Sequence, residues 1–251
     1  MKKLFLAIAF LTRIPIPQSL INDNGSYDFK NLYHYFMPTG IVIGIIQIIL
    51  LYLLLLFLPT DLAITGFLAL SVLLTGAFHE DGFADVADSF GAFDRKKKLA
   101  IMRDSRLGTY GVSALILLFI ARFSILTHIA SDRSLLFLAI FITTVFSRWG
   151  APFISLFIRY LNDESTSRKN LGSSLDRPNP IIISIQGLVL LIVFLIFLPK
   201  AFIIWLITTA LLTLFLVLFF RKQFNGVTGD CLGASIVCYE LTSLVTISTL
   251  N

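Results

Sequence analysis

Repeated apolar runs of nearly membrane-spanning length are the feature that most restricts the fold of this chain. They occupy residues 41–58, 62–78, 110–130, 134–158, 181–198, 201–220 and 231–250. A helix needs about 20 mostly apolar residues to cross the hydrocarbon of a bilayer. Charged residues make up only 14% of the chain, whereas soluble domains carry about 25% charge. We therefore predict an all-α, polytopic membrane bundle of about seven transmembrane helices, formed as a single domain over residues 1–251.

The basic residues predict the orientation of this bundle. With seven spans, the segment before residue 41 and the connections 79–109, 159–180 and 221–230 share one side, and most of the 20 lysines and arginines fall there. Basic residues are concentrated in cytoplasmic loops. We expect these polar connections to face the cytosol. The net charge of +5 then reports on topology and on anionic substrates or membrane lipid, and no nucleic-acid partner is expected.

An acidic segment, residues 79–88 (His-Glu-Asp-Gly-Phe-Ala-Asp-Val-Ala-Asp), directly follows the second apolar run. Asp81, Asp85 and Asp88 are spaced by four and then three, which places them in one stripe on a helix. Neighbouring carboxylates repel one another unless a cation lies between them, and oxygen ligands suit Mg²⁺. We predict a Mg²⁺ site that handles phosphate at the membrane surface, with Glu80 as a further candidate ligand. A solvated helix face outside the membrane is the alternative.

A basic segment, residues 95–111, continues from the acidic one. Arg103 and Arg106 are three residues apart, so both can face one phosphate pair through their planar guanidinium groups. Asp104 is either a further metal ligand or a group that orients an arginine, and the sequence leaves both open. The basic run at 95–98 is more typical of a loop that determines membrane orientation and contacts anionic lipid.

A glycine-rich segment, residues 226–234 (Gly-Val-Thr-Gly-Asp-Cys-Leu-Gly-Ala), opens the last apolar run. Glycines let backbone N–H groups approach an anion, and a helix N-terminus adds a favourable dipole. We predict that Thr228, Gly229 and Asp230 contact phosphate or metal. An ordinary N-cap by Thr228 or Asp230 is the alternative.

Several charged residues lie within apolar runs, where ionised groups are costly and are usually paired or functional. Arg148 and Glu240 either pair with each other, or Arg148 reaches a substrate phosphate. Arg122 and His128 are closer to the far end of their run, so we expect them to snorkel and to have no catalytic role. The polar segment 162–179 is expected to be a solvated connection, with closure over a substrate as the alternative.

Together these segments resemble the cobalamin synthase family, also called the adenosylcobinamide-GDP ribazoletransferase family. The family signature is matched by residues 75–88, Thr-Gly-Ala-Phe-His-Glu-Asp-Gly-Phe-Ala-Asp-Val-Ala-Asp. Further matches follow in the family's order at residues 10–17, 102–111, 147–149 and 226–234. One departure lies in the last span, where the family often has two acids. Here Val237 stands at the first such place and only Glu240 remains.

The resemblance implies a Mg²⁺-dependent enzyme of the prokaryotic cytoplasmic (inner) membrane that completes the nucleotide loop of cobalamin. Such an enzyme joins α-ribazole, or α-ribazole 5′-phosphate, to adenosylcobinamide-GDP and releases GMP. The implied catalytic carboxylates are those of Asp81, Asp85, Asp88 and Asp104, which with Glu80 are also the candidate metal ligands. The implied substrate-binding residues are Arg13, Arg103, Arg106, Arg148, Thr228, Gly229 and Asp230. Assembly into a homo-oligomer stays open.

Two other functions compete with this interpretation. A CDP-alcohol phosphotransferase of lipid synthesis also has an acidic motif at the membrane edge. Its motif includes an Ala-Arg pair and a later glycine followed by two acids four apart, whereas here Asp85 and Asp88 follow at once. A transporter would use Asp81, Arg148 and Glu240 as a substrate or proton path. The gathering of polar groups in the loops of one side argues against it.

Overall fold

The computed structural model describes residues 1–21, 27, 29–161 and 177–249. Apart from 3₁₀ turns at Leu32–Tyr35 and Ser89–Gly91, the regular structure of these residues is α-helical, and no strand occurs among them beyond one isolated bridge. The helices are α1 (Lys2–Leu11), α2 (Gln18–Ile21), α3 (Phe36–Phe57), α4 (Thr60–Thr75), α5 (Phe78–Asp88), α6 (Arg95–Ile101), α7 (Thr109–Ile129), α8 (Arg133–Ile154), α9 (Pro180–Phe197), α10 (Pro199–Phe224) and α11 (Gly229–Thr249). The prediction of an all-α chain is confirmed.

Six of the described helices are long and apolar enough to cross a membrane. They are α3 with its preceding turn, α7, α8, α9, α10 and α11. Helices α4 and α5 pass the same test only as a pair, and the chain bends by 89° between them. The prediction of about seven spans is therefore confirmed, but the second span is broken: its apolar part ends at Thr75 and the acidic segment forms a helix of its own.

The break between α4 and α5 is built from two residues in the left-handed region, Gly76 (φ +66°) and Ala77 (φ +58°). The N-terminal segment packs against this break. The backbone N–H of Arg13 donates to the carbonyl of Leu74 (2.8 Å), and the Arg13 side chain lies over Gly76, where a Cβ would come within 2.1 Å of its Nε. The absence of a side chain at Gly76 thus permits both the turn and the contact with Arg13.

Helices α8 and α11 form the interior of the bundle. In each, 67% of an 18-residue apolar stretch is buried inside the protein, against 22–28% in the other four spanning helices. The two inner helices approach closely at Gly150, where a Cβ would meet the ring of Tyr239 at 2.4 Å. Close approach at small residues is the usual way that helices associate in lipid, since burying apolar surface there brings no gain over contact with lipid tails. The outer helices expose apolar side chains that suit lipid contact.

The polar connections meet at one end of the bundle, here called the loop end. Asp88 at the end of α5 contacts the start of α7, and the backbone of Tyr160 bridges to Val227 just before α11. The side chain of Lys98 on α6 donates to Gln223 at the end of α10. These contacts agree with the predicted sharing of one side by the connections after the second, fourth and sixth spans.

We expect Gly76→Ala to destabilise the protein, because the left-handed conformation costs a residue with a Cβ about 1–2 kcal/mol and the new methyl group also displaces Arg13. Gly66→Ala, within α4, is the matched control, since its added Cβ makes only ordinary contact with Leu54 of α3 (3.4 Å). Thermal unfolding in detergent would compare the two. Equal melting temperatures would contradict this account of the break.

Candidate active site

Helix α5 carries the acidic segment and packs between α7 and α11. The residue that allows its closest approach to α11 is Gly82. A Cβ on Gly82 would lie 2.7 Å from the carbonyl oxygen of Asp230 and 2.8 Å from its Cα. Because Gly82 lies one turn before Asp85, this contact brings the first turn of α11 beside the acidic segment and its Asp85.

The carboxylate of Asp85 is half-buried and lies near three others, those of Asp230, Asp81 and Asp88. Asp81 is exposed. Within the described part of the chain, no cationic side chain pairs with Asp81 or Asp85. Asp81, Asp85 and Asp230 are here called the acidic cluster, and within it Asp81 and Asp85 bring unpaired negative charge to the loop end.

The third predicted ligand of the stripe, Asp88, has different partners. Its Oδ2 accepts the backbone N–H of Gly108 (2.7 Å), and its Oδ1 accepts that of Gly111 (2.8 Å). These donors lie at the N-terminus of α7, where backbone N–H groups lack partners within the helix. Asp88 thus joins the end of α5 to the start of α7, and its role as a metal ligand stays a prediction.

Glu80 points away from the acidic cluster into the bundle. Nη1 of Arg122 donates to its Oε1 (2.7 Å), and Nη2 of Arg122 pairs with Oε1 of Glu240 (3.0 Å). Oε2 of the same Glu240 accepts from Nη1 of Arg148 (3.1 Å). Of the two alternatives for Arg148, the structure shows the pairing with Glu240, and contact with a substrate phosphate stays a prediction.

The expectation that Arg122 snorkels to the far interface is wrong. The guanidinium group is buried midway along α7, because the first turn of α5 and the middle of α11 supply one carboxylate each at that level. Two buried carboxylates stabilise the charge locally, so the side chain does not need to reach water. The sequence alone did not reveal that α5 descends this far between its neighbours.

The basic segment after α6 is held by an ion pair of its own. The guanidinium of Arg106 is bonded to both carboxylate oxygens of Asp104 (Nη2–Oδ2 2.6 Å, Nε–Oδ1 3.0 Å), and the backbone N–H of Arg106 also donates to Oδ1 (3.1 Å). These hydrogen bonds hold the pKa of Asp104 below its usual range. Of the two alternatives for Asp104, this geometry favours the orienting role. Arg103 is exposed, and the side chain of Arg106 is 86% exposed, so both arginines are accessible from solvent.

The glycine-rich segment begins α11. Oγ1 of Thr228 accepts the N–H of Cys231 (3.3 Å), which is the N-cap arrangement given above as an alternative. Capping accounts for Thr228 but not for Asp230, which lies two residues further along, against α5. Contact of Thr228, Gly229 and Asp230 with phosphate or metal stays a prediction.

The described residues contain no group of three or more His, Cys, Asp or Glu side chains already arranged around one metal position. The acidic cluster nevertheless offers only oxygen atoms, which are the ligands that Mg²⁺ prefers. Mg²⁺ usually retains several waters and takes one or two carboxylates together with substrate phosphates. The carboxylates of the acidic cluster therefore suit Mg²⁺, because this ion does not need a full set of protein ligands. The segment 162–176, part of the connection discussed above as a possible cover, lies outside the described residues.

We expect Asp88→Asn to destabilise the protein by about 1–3 kcal/mol, because one of two backbone donors at the start of α7 loses its acceptor in a buried position. Asp94→Asn is the control, since Asp94 caps α6 through a single exposed hydrogen bond to the N–H of Lys97 (3.1 Å). Unfolding of both variants in detergent would be compared. A larger loss for Asp94→Asn would refute the structural role of Asp88.

Comparison with known proteins identifies a family and its relatives. A family model described as cobalamin-5-phosphate synthase matches residues 3–248. A protein of Shewanella frigidimarina (strain NCIMB 400) is 34% identical, with 97% of this chain and 95% of the relative covered. Proteins of Shewanella sp. (strain W3-18-1) and Shewanella oneidensis are 36% and 33% identical over 96% of this chain, covering 94% and 93% of their own lengths. All three bear the name adenosylcobinamide-GDP ribazoletransferase. No solved structure matches the chain.

Proposed function

Because this chain belongs to the cobalamin-5-phosphate synthase family, we propose that it transfers α-ribazole, or α-ribazole 5′-phosphate, to adenosylcobinamide-GDP and releases GMP. The observation that carries the proposal is the acidic cluster, in which Asp81 and Asp85 have no cationic partner among the described residues. A diphosphate substrate that arrives with a divalent cation supplies the missing positive charge.

The diphosphate of adenosylcobinamide-GDP would lie at the loop end, between the acidic cluster and the basic segment. Asp88 supports this arrangement because it ties the acidic helix to Gly108, two residues after Arg106. Arg103 and Arg106 then hold phosphate oxygens, with Asp104 keeping the guanidinium of Arg106 in a fixed plane. The site faces the cytosol of a prokaryotic cell, since the basic residues are concentrated in the same connections.

Mg²⁺ would be held by Asp81 and Asp85, with Asp230 as the third carboxylate of the cluster. Asp88, Glu80 and Asp104 each have a different partner, and we assign them to positioning. When bound, the ion offsets negative charge on the diphosphate and on the leaving GMP.

The transfer itself exchanges one phosphorus–oxygen bond for another. A ribose hydroxyl of α-ribazole that is free whether or not the 5′ position carries a phosphate attacks the phosphorus next to cobinamide, and the bond from that phosphorus to the GMP oxygen breaks. The hydroxyl proton passes to a carboxylate of the acidic cluster, and GMP leaves with the bonding electron pair. Arg103 and Arg106 stabilise the charge that spreads over the phosphate oxygens during this step.

The proposal predicts that membranes containing the protein, given Mg²⁺, adenosylcobinamide-GDP and α-ribazole, release GMP. Asp85→Asn should lower the rate by about a hundredfold or more, because it removes a charge from the acidic cluster. Asp61→Asn, a change at the exposed start of α4, should leave the rate unchanged. GMP is measured by chromatography at matched expression. No release by the unaltered protein, or full activity of Asp85→Asn, would disprove the proposal.

Removal of divalent ions with EDTA should stop GMP release, and added Mg²⁺ should restore it. Asp81→Asn should raise the Mg²⁺ concentration needed for half-maximal rate, because one candidate ligand loses its charge. Asp132→Asn is the matched control, as Asp132 caps α8 at the opposite end of the bundle. An EDTA-resistant rate would exclude the proposed role of the ion.

A further inference from the structure

Four charged side chains form an alternating chain within the bundle that the proposed reaction does not use. Glu80 of α5 bonds to Arg122 of α7, which pairs with Glu240 of α11, which in turn pairs with Arg148 of α8. The four side chains are 3–15% exposed. The two positive and two negative charges balance. These four side chains can therefore stay ionised in a low-dielectric interior as long as each keeps its partner.

A cavity of about 30 Å³ lies against this chain of charges, lined by all four residues together with Gln47 and Thr144. The Nε atoms of Arg122 and Arg148 and Oε2 of Glu80 are buried and have no hydrogen-bond partner among the described residues. Such a space suits about two ordered water molecules with polar partners, not a nucleotide or a corrinoid. The charged chain is therefore suited to holding helices in place and not to binding substrate.

The helix with most need of such support is α5. Since the chain bends by 89° at Gly76 and Ala77, α5 does not continue the axis of α4, and its direction depends on its neighbours. Its last residue, Asp88, is tied to the start of α7. Its first turn is tied to the middle of α7 by Glu80, the residue directly before Asp81.

We propose that Arg122, acting through Glu80, is a positioning residue that fixes the first turn of α5, so that Asp85 lies beside both Asp81 and Asp230. Arg122 holds Glu80 with one arm of its guanidinium group and Glu240 of α11 with the other, so it sets the acidic helix relative to the helix that contributes Asp230. Its effect on turnover rests on the proposed function, whereas its effect on α5 does not.

Hydrogen exchange of the full-length protein in detergent, without substrate or metal, tests the positioning directly. In Arg122→Gln, exchange of the amides of residues 78–88 should be faster by about tenfold or more, because a local tie is lost, while exchange of α9 and α10 stays unchanged. Glu80→Gln should produce the same local change. Arg122→Lys, which keeps the charge, should restore part of the protection.

The double variant Glu80→Gln/Arg122→Gln should be no worse than the more affected single variant, because both changes remove one contact. Arg133→Gln is the matched control, since Arg133 is exposed and its partner among the described residues is the hydroxyl of Thr60 at the opposite end. Unchanged exchange of residues 78–88 in the variants that fold, or equally faster exchange throughout the bundle, would overturn the inference. Glu80→Gln, which keeps the size of the side chain, decides the matter if Arg122→Gln does not fold.

Kinetics separate this inference from the proposed function. Arg122→Gln should lower kcat by about a hundredfold, as small misplacements of reacting groups do, while KM for adenosylcobinamide-GDP changes by less than about threefold. Unaltered kcat together with faster exchange of α5 would also overturn the inference. If the unaltered protein releases no GMP, the proposed function fails, and the exchange measurement still decides whether Arg122 positions α5.

Discussion

An ionised side chain inside a membrane bundle must be paired, because hydrocarbon offers no water to stabilise its charge. In this protein the requirement is met by a neutral chain of two arginines and two glutamates that joins α5, α7, α8 and α11. One of these helices, α5, begins directly after the point at which the second span is broken. The contacts that pair the buried charges therefore also place the acidic helix.

The acids of α5 divide into two groups according to their partners. Glu80 and Asp88, near its two ends, are bonded to α7 by a guanidinium group and by two backbone N–H groups. Asp81 and Asp85, between them, have no such partner among the described residues, and Asp85 lies near Asp230 in the first turn of α11. A short helix tied at both ends presents its middle in a defined direction, and this supports the placement of the reaction at the loop end.

The sequence predicted the features that depend on composition and local spacing. Hydropathy identified the spans, the spacing of Asp81, Asp85 and Asp88 identified the acidic helix, and the cost of charge in lipid suggested the pair of Arg148 and Glu240. It did not predict the bend at Gly76, which depends on two left-handed residues and on the packing of the N-terminal segment.

Nor did the spacing predict which carboxylates would share one site. Counting along a helix shows which side chains lie on one face, but not which neighbouring helix offers them hydrogen bonds. The glycine beside Asp81 was the one local signal of a close approach, and the structure identifies the approaching residue as Asp230. Arg122 carried no such signal, because its partners come from helices distant in sequence.

The departure from the family pattern in the last span has a physical explanation in these contacts. Val237 is fully buried, so a carboxylate there would require a cationic partner. Arg122 and Arg148, which lie beside α11, are already paired with Glu240. An apolar residue at 237 therefore leaves the charge balance of the bundle intact. The last span contributes to the acidic cluster through Asp230 at its first turn, while its interior acid, Glu240, neutralises the arginines that hold the helices together.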